Sequence, residues 1–119
     1  LVLRATALVG PTRTHALERL RAGTTTVRGD PDRPFSYLHE VDLAELCVEA
    51  LAGALGRGII NAASPVRLTV RAYYALLAQR AGIPDCAITG DDTVVPARHI
   101  DARRLHALLP ARPWRRIID

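Results

Sequence analysis

Two segments of the chain carry apolar residues at the three- and four-residue spacing of an amphipathic helix. The spacing runs without a gap from Asp42 to Leu55 and recurs from Val70 to Ala81. Asp42 and Thr69 stand where these helices would begin, and an oxygen-bearing side chain there accepts hydrogen bonds from unpaired first-turn amides. The pattern predicts two helices capped by Asp42 and Thr69. The apolar positions of the first are Leu43, Leu46, Cys47, Ala50, Leu51, Ala54 and Leu55.

Residues 1–9 show a different pattern, a nearly continuous apolar run. Such a run is typical of a strand covered on both faces, as in a parallel sheet. The remaining patterns predict strands at 24–28, 36–39 and 59–62 and helices at 14–22 and 102–109, the last capped by Asp101. This order of elements predicts an α/β chain. Because few strands are present to flank residues 1–9, we expect the sheet to continue in residues outside this chain.

The composition adds limits on the protein's environment and partners. With 49% hydrophobic and 24% charged residues, the 119-residue chain is typical of one globular domain. No apolar run approaches the roughly 18 to 20 residues of a membrane helix, and no secretory signal pattern is present. We therefore expect a cytoplasmic protein outside the membrane. The net charge of +4 arises from scattered arginines, whereas a nucleic-acid surface would carry a basic stripe, so we expect no nucleic-acid partner.

The chain contains no lysine, and this absence excludes several enzyme mechanisms. A Schiff-base amine, the lysine of a phosphate loop and a Tyr-x-x-x-Lys proton-transfer pair are all missing. The two cysteines, Cys47 and Cys86, lack the spacing of a zinc or redox pair, so we expect free thiols and no metal site. The chain begins at Leu1 rather than methionine, and we interpret it as a fragment of a longer protein.

Four ordered motifs cover nearly the whole chain. They are Leu-Arg-Ala-Thr-Ala-Leu-Val-Gly-Pro at 3–11, Phe-Ser-Tyr-Leu-His-Glu-Val-Asp-Leu-Ala at 35–44, Ile-Asn-Ala-Ala at 60–63, and Asp101 before a short helix. In this order they resemble the C-terminal part of the extended short-chain dehydrogenase/reductases, the NAD(P)-dependent epimerase/dehydratase family. The corresponding family patterns are Leu-Arg-Pro-x-Asn-Val-Tyr-Gly-Pro, Tyr-Val-His-Val-x-Asp-Leu-Ala, a Tyr-Asn strand end, and Asp-x-Ser/Ala-Lys/Arg.

The resemblance implies an architecture and assigns different functions to two parts of the protein. Residues 1–119 would form one C-terminal segment, made of the last strands of a Rossmann-like parallel sheet and a small α/β substrate-binding lobe. An N-terminal half, in the same or a separate chain, would bind most of the NAD or NADP and supply the catalytic residues, so this chain is expected to contain none. The implied function is the substrate-binding segment of an oxidoreductase, epimerase or dehydratase that acts at a secondary alcohol or ketone of a small molecule.

The resemblance also suggests ligand contacts. Ala5 and Thr6 would pass the cofactor's nicotinamide ring, and Ala7 stands beside the substrate where the family often has asparagine. The other candidate substrate contacts are Arg33, His39, Asn61 and Arg98. Each has an alternative role: His39 as a satisfied polar residue at the sheet edge, Asn61 as a turn cap, and the two arginines as solvated surface.

Two departures from the family pattern concern the substrate. Nucleotide-sugar members commonly carry an arginine at the position of Phe35, and some carry a second near Asp91. Because an arginine fork pairs with a diphosphate, its loss at both places argues for a smaller or less charged substrate. Tyr73 and Tyr74 lack the lysine of a catalytic pair and lie at apolar helix positions, so we expect them in the core.

A second hypothesis makes the chain a non-catalytic binding or assembly module derived from the same fold. Residues 1–9 would then be buried against another copy in a homodimer, because an uncovered apolar strand promotes aggregation.

Overall fold

A computed structural model describes residues 1–83 and 86–119. The helices are α1 (His15–Arg21), α2 (Glu40–Leu51), α3 (Val70–Arg80) and α4 (Arg103–Leu108). The strands are β1 (Val2–Ala5), β2 (Ala7–Val9), β3 (Thr26–Val27), β4 (Pro34–Phe35), β5 (Tyr37–His39), β6 (Ile59–Ala62), β7 (Leu68–Thr69) and β8 (Thr89–Gly90). The predicted α/β order is confirmed. Within the described residues, no helix has the length and apolar character needed to cross a membrane.

The apolar run at residues 1–9 forms two strands instead of one. β1 pairs in parallel with β6, and β2 pairs in parallel with β5. Helix α2 provides the crossover from β5 to β6, as parallel strands require. The interruption falls at Thr6, whose Oγ1 donates a hydrogen bond to the carbonyl of Ser36 over 2.5 Å. The predicted parallel pairing is therefore confirmed, and the continuous strand is corrected to two short ones.

Only one face of β1 is covered within this chain. Leu3 packs against the main apolar cluster, whereas the paired residues Val2 and Ile59 are 53% and 49% exposed. The prediction that residues 1–9 are covered on both faces is thus not met by the chain itself. Apolar side chains at alternate strand positions point to opposite faces, so one face of the β1–β6 pair remains open.

The main apolar cluster lies between the parallel strands and helices α2 and α4. Its buried members are Leu38, Leu46, Leu55, Ile60, Ala62 and Leu105. A second cluster joins α1 to α3 through Leu20 and Ala78. Tyr73 stacks on Phe35 with ring centroids 4.3 Å apart, and burial raises the pKa of Tyr73 to about 12. Tyr73 and Tyr74 are both half-buried and pack against the apolar clusters, so the prediction that they lie in the core is met only in part.

Helix α3 begins where the sequence predicts, because Thr69 Oγ1 accepts a hydrogen bond from the Ala72 amide. Helix α2 begins earlier than predicted, at Glu40, and is capped by His39, whose Nδ1 accepts from the Val41 amide over 3.2 Å. The prediction of Asp42 as N-cap is wrong. Its side chain is fully buried because it binds arginines from the C-terminal segment.

Asp101 lies one residue before the cap position of α4. The cap residue is Ala102, which makes no side-chain cap bond, and the Asp101 carboxylate accepts from the Arg103 amide over 3.0 Å. The capping prediction is therefore shifted by one position.

The predicted apolar stripe of α2 is only partly buried. Leu46 is fully buried, whereas Leu51 is 90% exposed. Cys47 is also exposed, contrary to its place in the stripe, and both cysteines are free thiols as expected. The exposed residues of α2, including Val48, add apolar surface to that of β1 and β6.

A cluster of ion pairs fixes the C-terminal segment to α2. Asp42, Glu45 and Glu49 lie on one face of the helix at helical spacing. Arg115 Nη1 contacts Asp42 Oδ1 at 2.6 Å, and the Arg115 amide donates to Asp42 Oδ2 over 3.0 Å. Arg112, whose side chain is 9% exposed, contacts all three acids. Hydrogen bonds from Arg115 and Arg112 lower the pKa of Glu45, and Glu45 and Asp42 raise the pKa of Arg115.

Replacing Asp42 with asparagine is expected to destabilise the protein by about 1 to 3 kcal/mol, because the arginines lose their one fully buried carboxylate and keep only the partly exposed Glu45 and Glu49. Urea unfolding followed by circular dichroism measures the effect. The matched control is Asp32→Asn, which removes the 62%-exposed carboxylate of a surface pair with Arg71 and is expected to have a much smaller effect. Equal losses of unfolding free energy in the two variants would contradict the expectation that the ion cluster contributes more to stability than the surface pair.

Candidate active site

The parallel strands β1 and β6 end side by side, with Ala5 paired to Ala62. In open α/β sheets, ligands bind beyond the carboxyl ends of parallel strands. A cavity of about 440 Å³ opens where the chain leaves β6 and passes the start of β5. Its lining comes from the segment after β6, from Ser36, and from the segment that leads into α4. These residues are Ser36, Ser64, Pro65, Val66, Arg67, His99, Ile100, Asp101, Ala102, Arg103 and His106.

The lining of this cavity carries more positive than negative groups. Arg103 pairs with Asp101 through Nη2 and Oδ2 at 2.8 Å, and this guanidinium lowers the pKa of Asp101 to about 2. Burial lowers the pKa of His106, while a hydrogen bond to the backbone of Ala63 acts in the opposite direction. Arg67 is exposed, and its side chain makes no hydrogen bond or ion pair with another described residue.

Several of the predicted ligand contacts lie near this cavity. Thr6 is tied to it through Ser36, and Ala5 and Ala7 are exposed on either side of the strand break. Asn61 Nδ2 donates to the Asp101 carbonyl over 3.1 Å and lines an adjoining cavity with Arg103 and Arg104. The structure therefore gathers Thr6 and Asn61 at one end of the β1–β6 pair.

Arg98 and Arg33 have different surroundings. Arg98 is exposed on the segment that leads to the cavity, next to His99. The Arg33 guanidinium donates to the backbone carbonyls of Arg28 and Asp30 and so braces its own loop. Substrate contact by these two residues stays a prediction, and Arg98 is the more available of the two.

His39 is occupied within the chain. The side chain is 1% exposed, and because Nδ1 accepts from the Val41 amide, the ring hydrogen lies on Nε2. Nε2 donates to the backbone oxygen of Asp119 over 3.2 Å. This geometry fits the alternative of a satisfied polar residue. A substrate contact by His39 stays a prediction, but in this arrangement both ring nitrogens already have hydrogen-bond partners.

The two positions that differ from nucleotide-sugar enzymes have structural roles here. The ring of Phe35 stacks on Tyr73. Asp91 Oδ1 accepts from the amides of Gly29 and Thr93 over 2.8 and 2.9 Å, which joins two loops. These bonds, with that from Gly29 the largest cause, lower the pKa of Asp91 to about 2. Neither side chain offers a cation.

The sequence analysis did not identify most of the cavity's polar lining. Ser36, Arg67, His99 and His106 come from separate elements, and no local motif brings them together. The position of Ser64 just after a parallel strand was a signal that could have indicated it. In the part of the chain that the structure describes, no group of three potential metal ligands is arranged to hold an ion.

Comparisons with known proteins place the fold. No family model and no curated protein sequence matches the chain. The Bordetella bronchiseptica enzyme WbmH, in complex with NAD+, superposes with a TM-score of 0.74 and 18% identity over 97% of this chain and 40% of its own. RMD from Pseudomonas aeruginosa, complexed with NADPH, gives a TM-score of 0.69 and 22% identity over 98% and 43%. The chain thus has a Rossmann-like α/β fold and spans less than half of either structure.

Asp91 provides a test of the loop geometry through pH. Its pKa in the folded protein lies below the ordinary value of 3.8, so its carboxylate contributes stability that is present above that pH and lost as the pH falls toward about 2. Asp91→Asn is expected to reduce stability near neutral pH and to flatten its acid dependence over this window. Thermal unfolding at a series of pH values measures both. Asp92→Asn, at the exposed neighbouring position, is the control, and an unchanged acid slope in Asp91→Asn would refute the assignment.

Proposed function

We propose that this chain is the substrate-binding segment of an NAD(P)-dependent oxidoreductase, epimerase or dehydratase of the extended short-chain dehydrogenase/reductase type. The observation that carries the proposal is the superposition of nearly the whole chain on enzymes bound to NAD+ and NADPH. The four ordered motifs support it, because they fall at β1 and β2, at β5 and α2, at β6, and before α4. A shared fold alone does not fix a reaction, so the site must also fit.

The strand break at Thr6 fits a cofactor contact. Ala5 and Ala7 are small and exposed, which allows the backbone to approach a flat ring closely. The Thr6 hydroxyl is held by Ser36, so the orientation of this backbone is set before a ligand binds. When bound, NAD or NADP would exchange hydride with a carbon bearing an alcohol or ketone. The chain itself contributes shape and orientation, since it lacks a lysine for the proton-transfer pair.

The open apolar surface supports a partner half. Val2 and Ile59 are paired neighbours on the sheet and both are exposed, and an apolar strand surface is usually covered in a folded protein. We propose that an N-terminal cofactor-binding half, in the same or a separate chain, covers the β1–β6 face. The alternative of a non-catalytic module would cover the same face with a second copy.

The substrate is proposed to be a small molecule other than a nucleotide sugar. The Phe35 ring stacks on Tyr73, and the Asp91 carboxylate accepts hydrogen bonds from backbone amides. Neither position therefore offers the guanidinium group that would bind a diphosphate. Arg98, Asn61 and Ala7 remain as proposed substrate contacts.

The full-length protein is expected to bind NADH or NADPH and to interconvert the cofactor's redox states with small secondary alcohols or ketones. Fluorescence titration measures cofactor binding, and absorbance of the reduced nicotinamide follows turnover. Arg98→Ala is expected to raise KM about tenfold, because a charge-assisted contact is lost. Arg57→Ala, at an exposed arginine outside the site, is the control. Absence of cofactor binding would refute the proposal, and turnover only of nucleotide sugars would refute the substrate class.

Ile59→Asp tests which partner covers the open face. In the full-length protein this charge would be buried without a counter-ion, and we expect a loss of roughly 2 kcal/mol or more in the free energy of unfolding. Val94→Asp is the matched control, because Val94 is 93% exposed and lies away from the β1–β6 pair. If light scattering shows that Ile59→Asp dissociates a homodimer that binds no cofactor, the assembly-module alternative holds instead.

A further inference from the structure

We propose that the cavity beyond β6 binds the anionic group of a small molecule, a carboxylate or a phosphate, with Arg67 as its main charged contact. This inference concerns the chain's own side chains and does not depend on the proposed redox function. It assigns a role to Arg67, His99 and Ser64, which none of the four ordered motifs contains.

The cavity has the dimensions of a ligand site. Its volume of about 440 Å³ lies within the roughly 300 to 1,000 Å³ of small-molecule pockets. Its walls come from three separate parts of the chain, the segment after β6, the residue before β5, and the segment that leads into α4. A site built from separate elements can enclose a ligand group from several directions.

The charges around the cavity favour an anion. Arg67 and Arg103 are permanently charged at physiological pH, and the exposed ring of His99 adds a donor, whereas the His106 ring already hydrogen-bonds the backbone of Ala63. Asp101, the one carboxylate among the described lining residues, is already engaged by Arg103 through three side-chain hydrogen bonds and one from the Arg103 amide. That pairing leaves the charge of Arg67 without a counter-ion among the described lining residues.

The two serines in the lining are set to donate. Ser64 Oγ accepts a hydrogen bond from the Val66 amide over 3.3 Å, and Ser36 Oγ accepts from the Ile100 amide over 3.5 Å. Each hydroxyl hydrogen is therefore left for another acceptor. An anion supplies acceptors only, so it matches two hydroxyl donors beside a guanidinium.

Arg67 differs from the arginines that have structural roles. Arg104 donates to the carbonyls of Arg57 and Ile59, Arg71 pairs with Asp32, and Arg112 lies in the ion cluster on α2. Arg67 and His99 instead line both this cavity and a second one beside Phe35, whose carboxylate, Asp32, is paired with Arg71. The Arg67 guanidinium is available to a ligand that enters from either side.

Isothermal titration calorimetry on the full-length protein tests the site, with inorganic phosphate and succinate as probes at constant ionic strength. We expect saturable binding of at least one probe and an affinity about tenfold weaker in Arg67→Ala, since one charge-assisted contact is removed. The probe that binds more tightly identifies the phosphate or the carboxylate as the natural group. Arg67→Lys, which keeps the charge without the fork, is expected to fall between the wild type and Arg67→Ala.

Arg57→Ala is the matched control, because Arg57 is exposed and lies outside the cavity lining. Wild-type affinity in this control, together with the loss in Arg67→Ala, supports the site. Absence of saturable binding of both probes overturns the proposal, and so does an equal loss in the two alanine variants. Cofactor binding is measured on the same samples, so a failure of the anion site is distinguished from a failure of the proposed redox function.

Discussion

The interruption of the first strand at Thr6 is the constraint on which the rest of this structure depends. It lets one short segment pair with β6 before the break and with β5 after it. A β-strand has hydrogen-bonding groups on both edges, so the break at Thr6 marks the point where pairing with β6 ends and pairing with β5 begins. Because the segment serves two partners, the end of β6 comes close to Ser36, and the cavity forms where these parts of the chain meet.

The C-terminal segment stabilises this arrangement from the other side of α2. Asp42, Glu45 and Glu49 bind Arg112 and Arg115. A buried ion pair contributes little net free energy, because desolvation of the charges offsets their attraction. Its main effect here is to specify position, since the acids accept the guanidinium groups in one register. The hydrogen bond from His39 to the Asp119 backbone adds a second attachment.

Several residues of the chain are engaged in contacts within the protein, whereas others at the candidate site are exposed. Phe35, Asp91, His39 and Arg33 are each engaged within the protein, whereas Arg67 and Arg98 are exposed at the candidate site. The open face of β1 and β6 shows the same contrast for apolar surface. The proposed ligand site and the proposed partner half rest on these two features.

The sequence by itself determined the helices and the parallel character of the strands. Local apolar spacing fixes a helix, as for α3, and Thr69 caps it because the cap bond spans only three residues. Continuous apolar character likewise indicated a parallel strand. Only the tertiary structure decided that residues 1–9 split at Thr6, that Asp42 binds arginines instead of capping α2, and that Arg67, His99 and Ser36 share a cavity. Those outcomes depend on contacts between residues about 30 to 70 positions apart. No local sequence pattern specifies which distant residues come into contact.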